Sequence, residues 1–128
     1  MSRIMVGVLA VAALAACGGS TNSEQAAGTY SCNFAADKEC LDISTPAGSS
    51  FSSTDVATIR AMCVQPVGGG TWATTACLTA GRFATCTFTV PTSTSHLSVP
   101  MITQQRFYTG FVDEVSVCMS NSGVLTRP

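Results

Sequence analysis

The segment Arg82–Val90, with the sequence RFATCTFTV, carries the clearest strand pattern in the chain. Ala84, Cys86 and Phe88 alternate along it with threonines. Because successive side chains of a strand point to opposite faces of a sheet, this alternation predicts one face against a core and one face in water. The chain is therefore expected to be built around an antiparallel sheet.

An internal repeat extends this pattern to both halves of the chain. The sequence YSCNF at residues 30–34 resembles ATCTF at residues 84–88, and a further cysteine follows 31 or 32 residues after each motif cysteine. Each of these later cysteines, Cys63 and Cys118, ends an apolar-periodic run and precedes a glycine turn with an apolar residue behind it. The repeat predicts two related half-motifs.

The remaining elements follow from turn and helix signals. Strands are predicted at Thr29–Phe34, Cys40–Ser44, Trp72 and Gln105–Thr109. A helix is predicted from an N-cap at Thr54 to about Cys63, and Val112–Met119 is a second helix or a strand, with the repeat favouring the helix. The predicted fold class is α+β: an antiparallel sheet of four or five short strands with one or two helices on one face.

The first residues have the pattern of a secretory signal peptide. Arg3 precedes an apolar run from Ile4 to Leu14, which is shorter than the roughly 20 residues that a transmembrane helix needs. Small residues then lead to Cys17. An ordinary signal peptide, cleaved after Ala13-x-Ala15, is the alternative that this stretch leaves open.

The junction Leu14-Ala15-Ala16-Cys17 resembles the lipobox of bacterial lipoproteins. The resemblance implies a signal peptide at residues 1–16, lipidation of Cys17 with fatty acyl chains such as palmitate, a flexible tether at residues 17–29 and a folded domain at residues 30–128. Gly18 stands where an Asp would imply retention at the inner membrane, so the resemblance implies the outer membrane of a Gram-negative envelope.

Lipidation of Cys17 leaves an even set of six among the seven cysteines. In an oxidising compartment this set predicts three disulfides. If the two halves are equivalent, Cys32–Cys63 and Cys86–Cys118 are matching bonds, which leaves Cys40–Cys77 as the third. A nearest-neighbour scheme beginning with a Cys32–Cys40 hairpin bond is the alternative.

The composition argues against several function classes. Charged residues make up only 10% of the chain and the formal net charge is -1, so nucleic acid is not an expected partner. No C-x-x-C pair exists and His96 is the only histidine, so neither a metal nor a redox cofactor is predicted. The adjacent side chains of Asp113 and Glu114 diverge, and the glycines at 68–70 lack the lysine of a phosphate loop. No catalytic constellation is recognisable, and we expect no enzyme.

The spacing of cysteines and aromatics over residues 30–118 resembles small, cysteine-patterned lipoproteins of Gram-negative bacteria, a group without an established activity. Trp72, Phe107, Tyr108 and Phe111 are expected in the core rather than at a binding surface. The sequence therefore predicts a membrane-anchored, non-catalytic module that binds an envelope protein or glycan. A small envelope hydrolase or a protease inhibitor is the alternative.

Overall fold

The computed structural model describes residues 29–64 and 69–128. The predicted signal peptide, the lipidation site Cys17 and the tether up to Gly28 lie outside the described residues.

The described residues form six strands, three helices and one 3-10 turn. The strands are β1 (Thr29–Phe34), β2 (Glu39–Ser44), β3 (Thr71–Ala73), β4 (Arg82–Val90), β5 (Met101–Tyr108) and β6 (Val124–Thr126). The helices are α1 (Ser53–Val64), α2 (Thr92–Ser95) and α3 (Glu114–Ser120), and the 3-10 turn is Ala35–Asp37. The α+β class and the antiparallel sheet are confirmed. The predicted count of four or five strands is wrong, because three-residue strands such as β6 are too short to show an alternating pattern.

The sheet has the order β3-β1-β2-β5-β4-β6, and every pairing in it is antiparallel. From the centre of the sheet outward, the strands β2, β1 and β3 of the first half occupy positions equivalent to β5, β4 and β6 of the second half. Leu41 pairs with Gln105 at the centre, and the registers of the two halves are equivalent about this pair. The sheet is thus a pseudo-two-fold assembly of the two half-motifs.

Two disulfides occupy equivalent positions in the halves. Cys32 of β1 is bonded to Cys63 of α1, and Cys86 of β4 is bonded to Cys118 of α3. Since Cys32 and Cys86 point to the same face of the sheet, both longer helices lie on that face, which we call the helix face. The third bond, Cys40–Cys77, lies on the opposite face, which we call the loop face. These are the pairs that the repeat favoured.

Aromatic side chains fill much of the helix face. Trp72 stacks on the buried Tyr30 with a ring-centroid distance of 5.1 Å. In the second half the fully buried Phe107 lies 4.5 Å from Phe111, measured between ring centroids. Three of the four aromatics expected in the core therefore pack there, and Tyr108 points to the loop face.

Ser52 caps helix α1, two residues before the predicted Thr54. The Ser52 hydroxyl accepts from the Asp55 amide at 3.1 Å, and the Asp55 carboxylate accepts from the Ser52 amide at 2.9 Å. This reciprocal arrangement satisfies two backbone donors that a helix start otherwise leaves free, which is why the helix begins earlier than expected. Asp55 also accepts from the amide and the hydroxyl of Ser98, so one buried carboxylate joins the helix to the 91–100 loop.

The Asp55 network makes stability depend on pH. Burial alone would raise the pKa of Asp55, but hydrogen bonds from Ser98 and Ser52 lower it from 3.8 to about 2. Because the folded-state pKa is the depressed one, this contribution of about 2 kcal/mol is complete above pH 4 and is lost as the pH falls toward 2. We expect urea unfolding to show this loss, and Asp55→Asn to flatten the pH dependence in that window. An equal acid response in the variant would contradict the assignment.

Two glycines sit against the equivalent disulfides because no side chain fits there. The amides of Gly70 and Gly123 donate to the carbonyls of Cys63 and Cys118, each at 2.9 Å. A Cβ on Gly123 would lie 2.3 Å from the Cys86 sulfur, and one on Gly70 would lie 2.5 Å from the Cys32 sulfur. Both distances are far below van der Waals contact, so the sequence pattern of a glycine before β3 and β6 has a steric cause.

Gly123→Ala should therefore destabilise the second half. Overpacking of this kind costs about 1–3 kcal/mol, which thermal unfolding would detect as a lowered Tm. Gly48→Ala is the matched control, since its Cβ meets nothing within 4 Å and only its positive φ of 81° opposes the change. If Gly123→Ala cost no more than Gly48→Ala, the close approach to the disulfide would be wrong.

Candidate functional site

The two ends of the sheet differ in what they carry. The described chain begins at Thr29, which pairs with Ser44, and Ser44 pairs with Ile102. The loops at residues 45–52 and 91–100 attach at this end, which we call the proximal end. At the other, distal end lie the turns at residues 35–38 and 109–113 and the close of the loop at residues 74–81.

Backbone hydrogen bonds join these distal segments to one another. The Tyr108 amide donates to the Lys38 carbonyl at 2.9 Å, and the Thr109 amide donates to the Gly81 carbonyl at 3.2 Å. Lys38 has a left-handed φ of 59°, which its turn requires. The three segments therefore form one connected surface at the end of the sheet farthest from the described start of the chain.

The loop at residues 74–81, which we call the bridging loop, crosses the loop face from the edge strand β3 to the start of β4. Between it and the sheet lies a cavity of about 380 Å³. The floor comes from β1, β2 and β3, and the wall comes from the bridging loop and Tyr108. This cavity is a groove at the distal end with a largely apolar lining, and it is the first candidate for a binding site.

Two side chains of the sheet form hydrogen bonds with the backbone amide and the backbone carbonyl of Cys77 in the bridging loop. The Cys77 amide donates to Asp42 Oδ1 at 2.6 Å, and Arg106 Nη1 donates to the Cys77 carbonyl at 3.0 Å. Asp42 and Arg106 are themselves a buried ion pair, and the Cys77 sulfur is bonded to Cys40. The centre of the loop is thus held to the sheet by one disulfide and by two hydrogen bonds to a buried ion pair. Hydrogen bonds to charged groups are stronger than those between neutral groups.

The next residue, Leu78, combines a fixed backbone with an exposed side chain. The Tyr108 hydroxyl donates to the Leu78 carbonyl at 2.6 Å, while the Leu78 side chain is 76% exposed. Burial raises the pKa of Tyr108, against the opposing charges of Arg106 and Arg82, so the hydroxyl keeps its proton and its hydrogen bond at neutral pH. The loop therefore exposes an apolar side chain to solvent on a backbone that is held in place.

The cavity below the loop is lined mainly by uncharged groups. Its polar side chains are Ser31, Asn33, Thr71 and Thr75, and Lys38 and Glu39 belong to its lining at the distal end. Hydroxyl and amide groups can both donate and accept hydrogen bonds. The cavity is chemically suited to a neutral polar group, or to a partner side chain that enters beside Leu78.

A second groove lies on the helix face of the same end. It has a volume of about 570 Å³ and is open toward Phe111, Val112 and Val117. Glu39 Oε2 accepts from Gln105 Nε2 at 2.6 Å in its wall, and Val112 is 80% exposed. Leu78 and Val112, the two most exposed large apolar residues of the described part, therefore both belong to the distal end.

The residues considered for catalysis are not brought together. His96 is exposed at the C-terminal end of α2, at the proximal end of the sheet. Asp113 is exposed before α3, and Glu114 in the first turn pairs with Arg127, which holds the pKa of Glu114 below its usual value. No group of three potential metal ligands occurs among the described residues, and no described helix is long and apolar enough to cross a membrane.

Sequence reasoning missed the residues that build the distal end. Asp42, Arg106 and Leu78 belong to no motif that singles them out in the sequence. One signal did exist: Cys40 and Cys77 have no counterpart in the second half, which already marked residues 74–81 as a feature of one half only. The Asp42–Arg106 pair itself could not be read from the sequence, because the two residues meet diagonally across β2 and β5.

No family model, no curated protein and no solved structure matches the chain.

Proposed function

We propose that the chain is a lipid-anchored protein of the bacterial envelope that binds a protein or glycan partner through the distal end, without catalysis. The observation that carries the proposal is Leu78, an exposed apolar side chain on a loop whose backbone is fixed by four separate links. Ordering a flexible loop on binding lowers the affinity. This loop is already ordered in the folded protein, so binding would not carry that entropic cost.

The position of the chain start supports this orientation. If Cys17 carries the lipid, the membrane lies on the side of Thr29, the first residue of β1. With a rise of about 3.3 Å per residue, β1 places the distal end roughly 17 Å farther from the membrane than Thr29. Leu78, Val112 and both grooves would then lie at the end of the domain farther from its attachment point, where a partner can reach them.

The contacts of Leu78 favour binding over protease inhibition. An exposed residue beside a disulfide has the form of a substrate-like loop, but a protease must bring the carbonyl of that residue into its oxyanion hole. The Leu78 carbonyl instead accepts from the Tyr108 hydroxyl at 2.6 Å, so it is already hydrogen-bonded within the protein. The Leu78 side chain is exposed, whereas its carbonyl is already hydrogen-bonded. This arrangement suits a partner with an apolar pocket.

Leu78→Ser tests the proposal. The full chain, purified in mild detergent, would be titrated against isolated envelope of its own bacterium. Burying a leucine contributes about 1.5–3 kcal/mol, so the variant should bind roughly 10- to 100-fold more weakly than the natural chain.

Val124→Ser is the matched control. Val124 is 67% exposed, lies on the edge strand β6 and is distant from the bridging loop in the sheet order. It should bind like the natural chain. Equal binding by the Leu78 and Val124 variants, or no saturable binding by the natural chain, would contradict the proposal.

A further inference from the structure

The pseudo-two-fold axis gives the cavity under the bridging loop a counterpart in the second half. Cys32 pairs with Leu41 and Trp72, whereas Cys86 pairs with Gln105 and Leu125. Residues on the loop face are therefore equivalent in pairs. Ser31 corresponds to Thr85, Asn33 to Thr87, Cys40 to Gln104 and Ala73 to Thr126.

The counterpart is a smaller pocket of about 190 Å³. All four second-half residues of these pairs line it, together with Arg82, Arg127 and Pro128. In the first half the matching surface lies beneath the bridging loop, which is bonded to Cys40. In the described part of the second half no loop crosses this face, and exposed Gln104 stands where Cys40 anchors the loop. The same sheet surface is thus covered in one half and open in the other.

The open pocket contains a positive charge, that of Arg82, for which the described residues supply no negative partner. Arg106 is neutralised by Asp42 and Arg127 by Glu114. The side chain of Arg82 forms no hydrogen bond and no ion pair among the described residues, and its Nε is buried without an acceptor. A buried guanidinium N–H without an acceptor is rare in folded proteins, because it has lost its water without gaining a partner.

We infer that this pocket binds an anionic sugar group, whose carboxylate or phosphate pairs with Arg82. A planar guanidinium binds such oxyanions through two parallel hydrogen bonds. The hydroxyls of Thr85, Thr87 and Thr126 and the amide of Gln104 can exchange hydrogen bonds with sugar hydroxyls, since each can donate and accept. The volume suits one group of monosaccharide size.

This site is separate from the Leu78 surface, so each can fail without the other. Leu78 acts through an apolar contact at the bridging loop, in the first half. The pocket acts through charge on the open sheet surface of the second half. Binding at the pocket should weaken with added salt, because the pocket is open to solvent and dissolved ions screen an ion pair there.

The test is a two-dimensional NMR titration of the full chain, following the Arg82 side-chain Nε–H signal and the amides of residues 85, 87, 104 and 126. The probes are glucuronate, glucose 6-phosphate and, as the neutral probe, glucose. We expect saturable shifts at these positions with at least one of the two anionic sugars and none with glucose, and the two anionic arms distinguish a carboxylate from a phosphate.

Arg82→Gln should weaken the anion response about tenfold or more, as expected for loss of a charge-assisted pair. Arg60→Gln removes an exposed charge on α1 and should leave the response unchanged. If Arg82→Gln does not fold, Thr87→Val combined with Gln104→Leu keeps Arg82 and should still weaken binding of the sugar. Absence of saturable shifts with both anions, an equal response to glucose, or binding that survives these changes would overturn the inference.

Discussion

A disulfide bonds each of the two longer helices, α1 and α3, to the sheet, and the rest of the fold depends on these two bonds. The buried apolar clusters of the described residues are small: one has seven residues of the first half together with Leu97, and the other has four residues of the second half, with the paired cysteines counted among them. Closing a chain segment of 31 or 32 residues by a disulfide stabilises the folded state by about 3–4 kcal/mol in the chain-entropy account. For a domain of this size, that contribution is comparable with much of the net stability. Each disulfide also leaves no room for a side chain at the neighbouring residue, which is therefore glycine: Gly70 in the first half and Gly123 in the second.

With the helices secured on one face, the loop face is free to differ between the halves. In the first half a third disulfide and the Asp42–Arg106 pair hold a loop across the sheet, and Leu78 projects from it. In the second half the same surface stays open, and Arg82 lies on it without an acidic partner among the described residues. One structural unit, used twice, thereby presents an apolar contact and a cationic pocket. Both proposed binding surfaces rest on this divergence between equivalent surfaces.

Patterns that repeat along the chain could be predicted, and contacts between distant residues could not. The alternation in Arg82–Val90 indicated a strand, and the matching distances from Cys32 to Cys63 and from Cys86 to Cys118 favoured the pairing that the structure contains. The strand count was wrong because β6 spans three residues, and the cap of α1 was misplaced because reciprocal hydrogen bonds between Ser52 and Asp55 start the helix earlier. The Cys40–Cys77 bond was anticipated from its unmatched cysteines, but the loop that this bond holds across the sheet was not. Export, lipidation of Cys17 and an envelope location stay predictions, since those residues lie outside the described part.

Mass spectrometry of the mature protein, digested without reduction, tests the central claim most directly. The account predicts three linked peptide pairs, Cys32 with Cys63, Cys40 with Cys77 and Cys86 with Cys118, and an N-terminal peptide that begins at Cys17 and carries acyl chains on its sulfur. A peptide linking Cys17 to any of the other six cysteines, or a free thiol among those six, would contradict it.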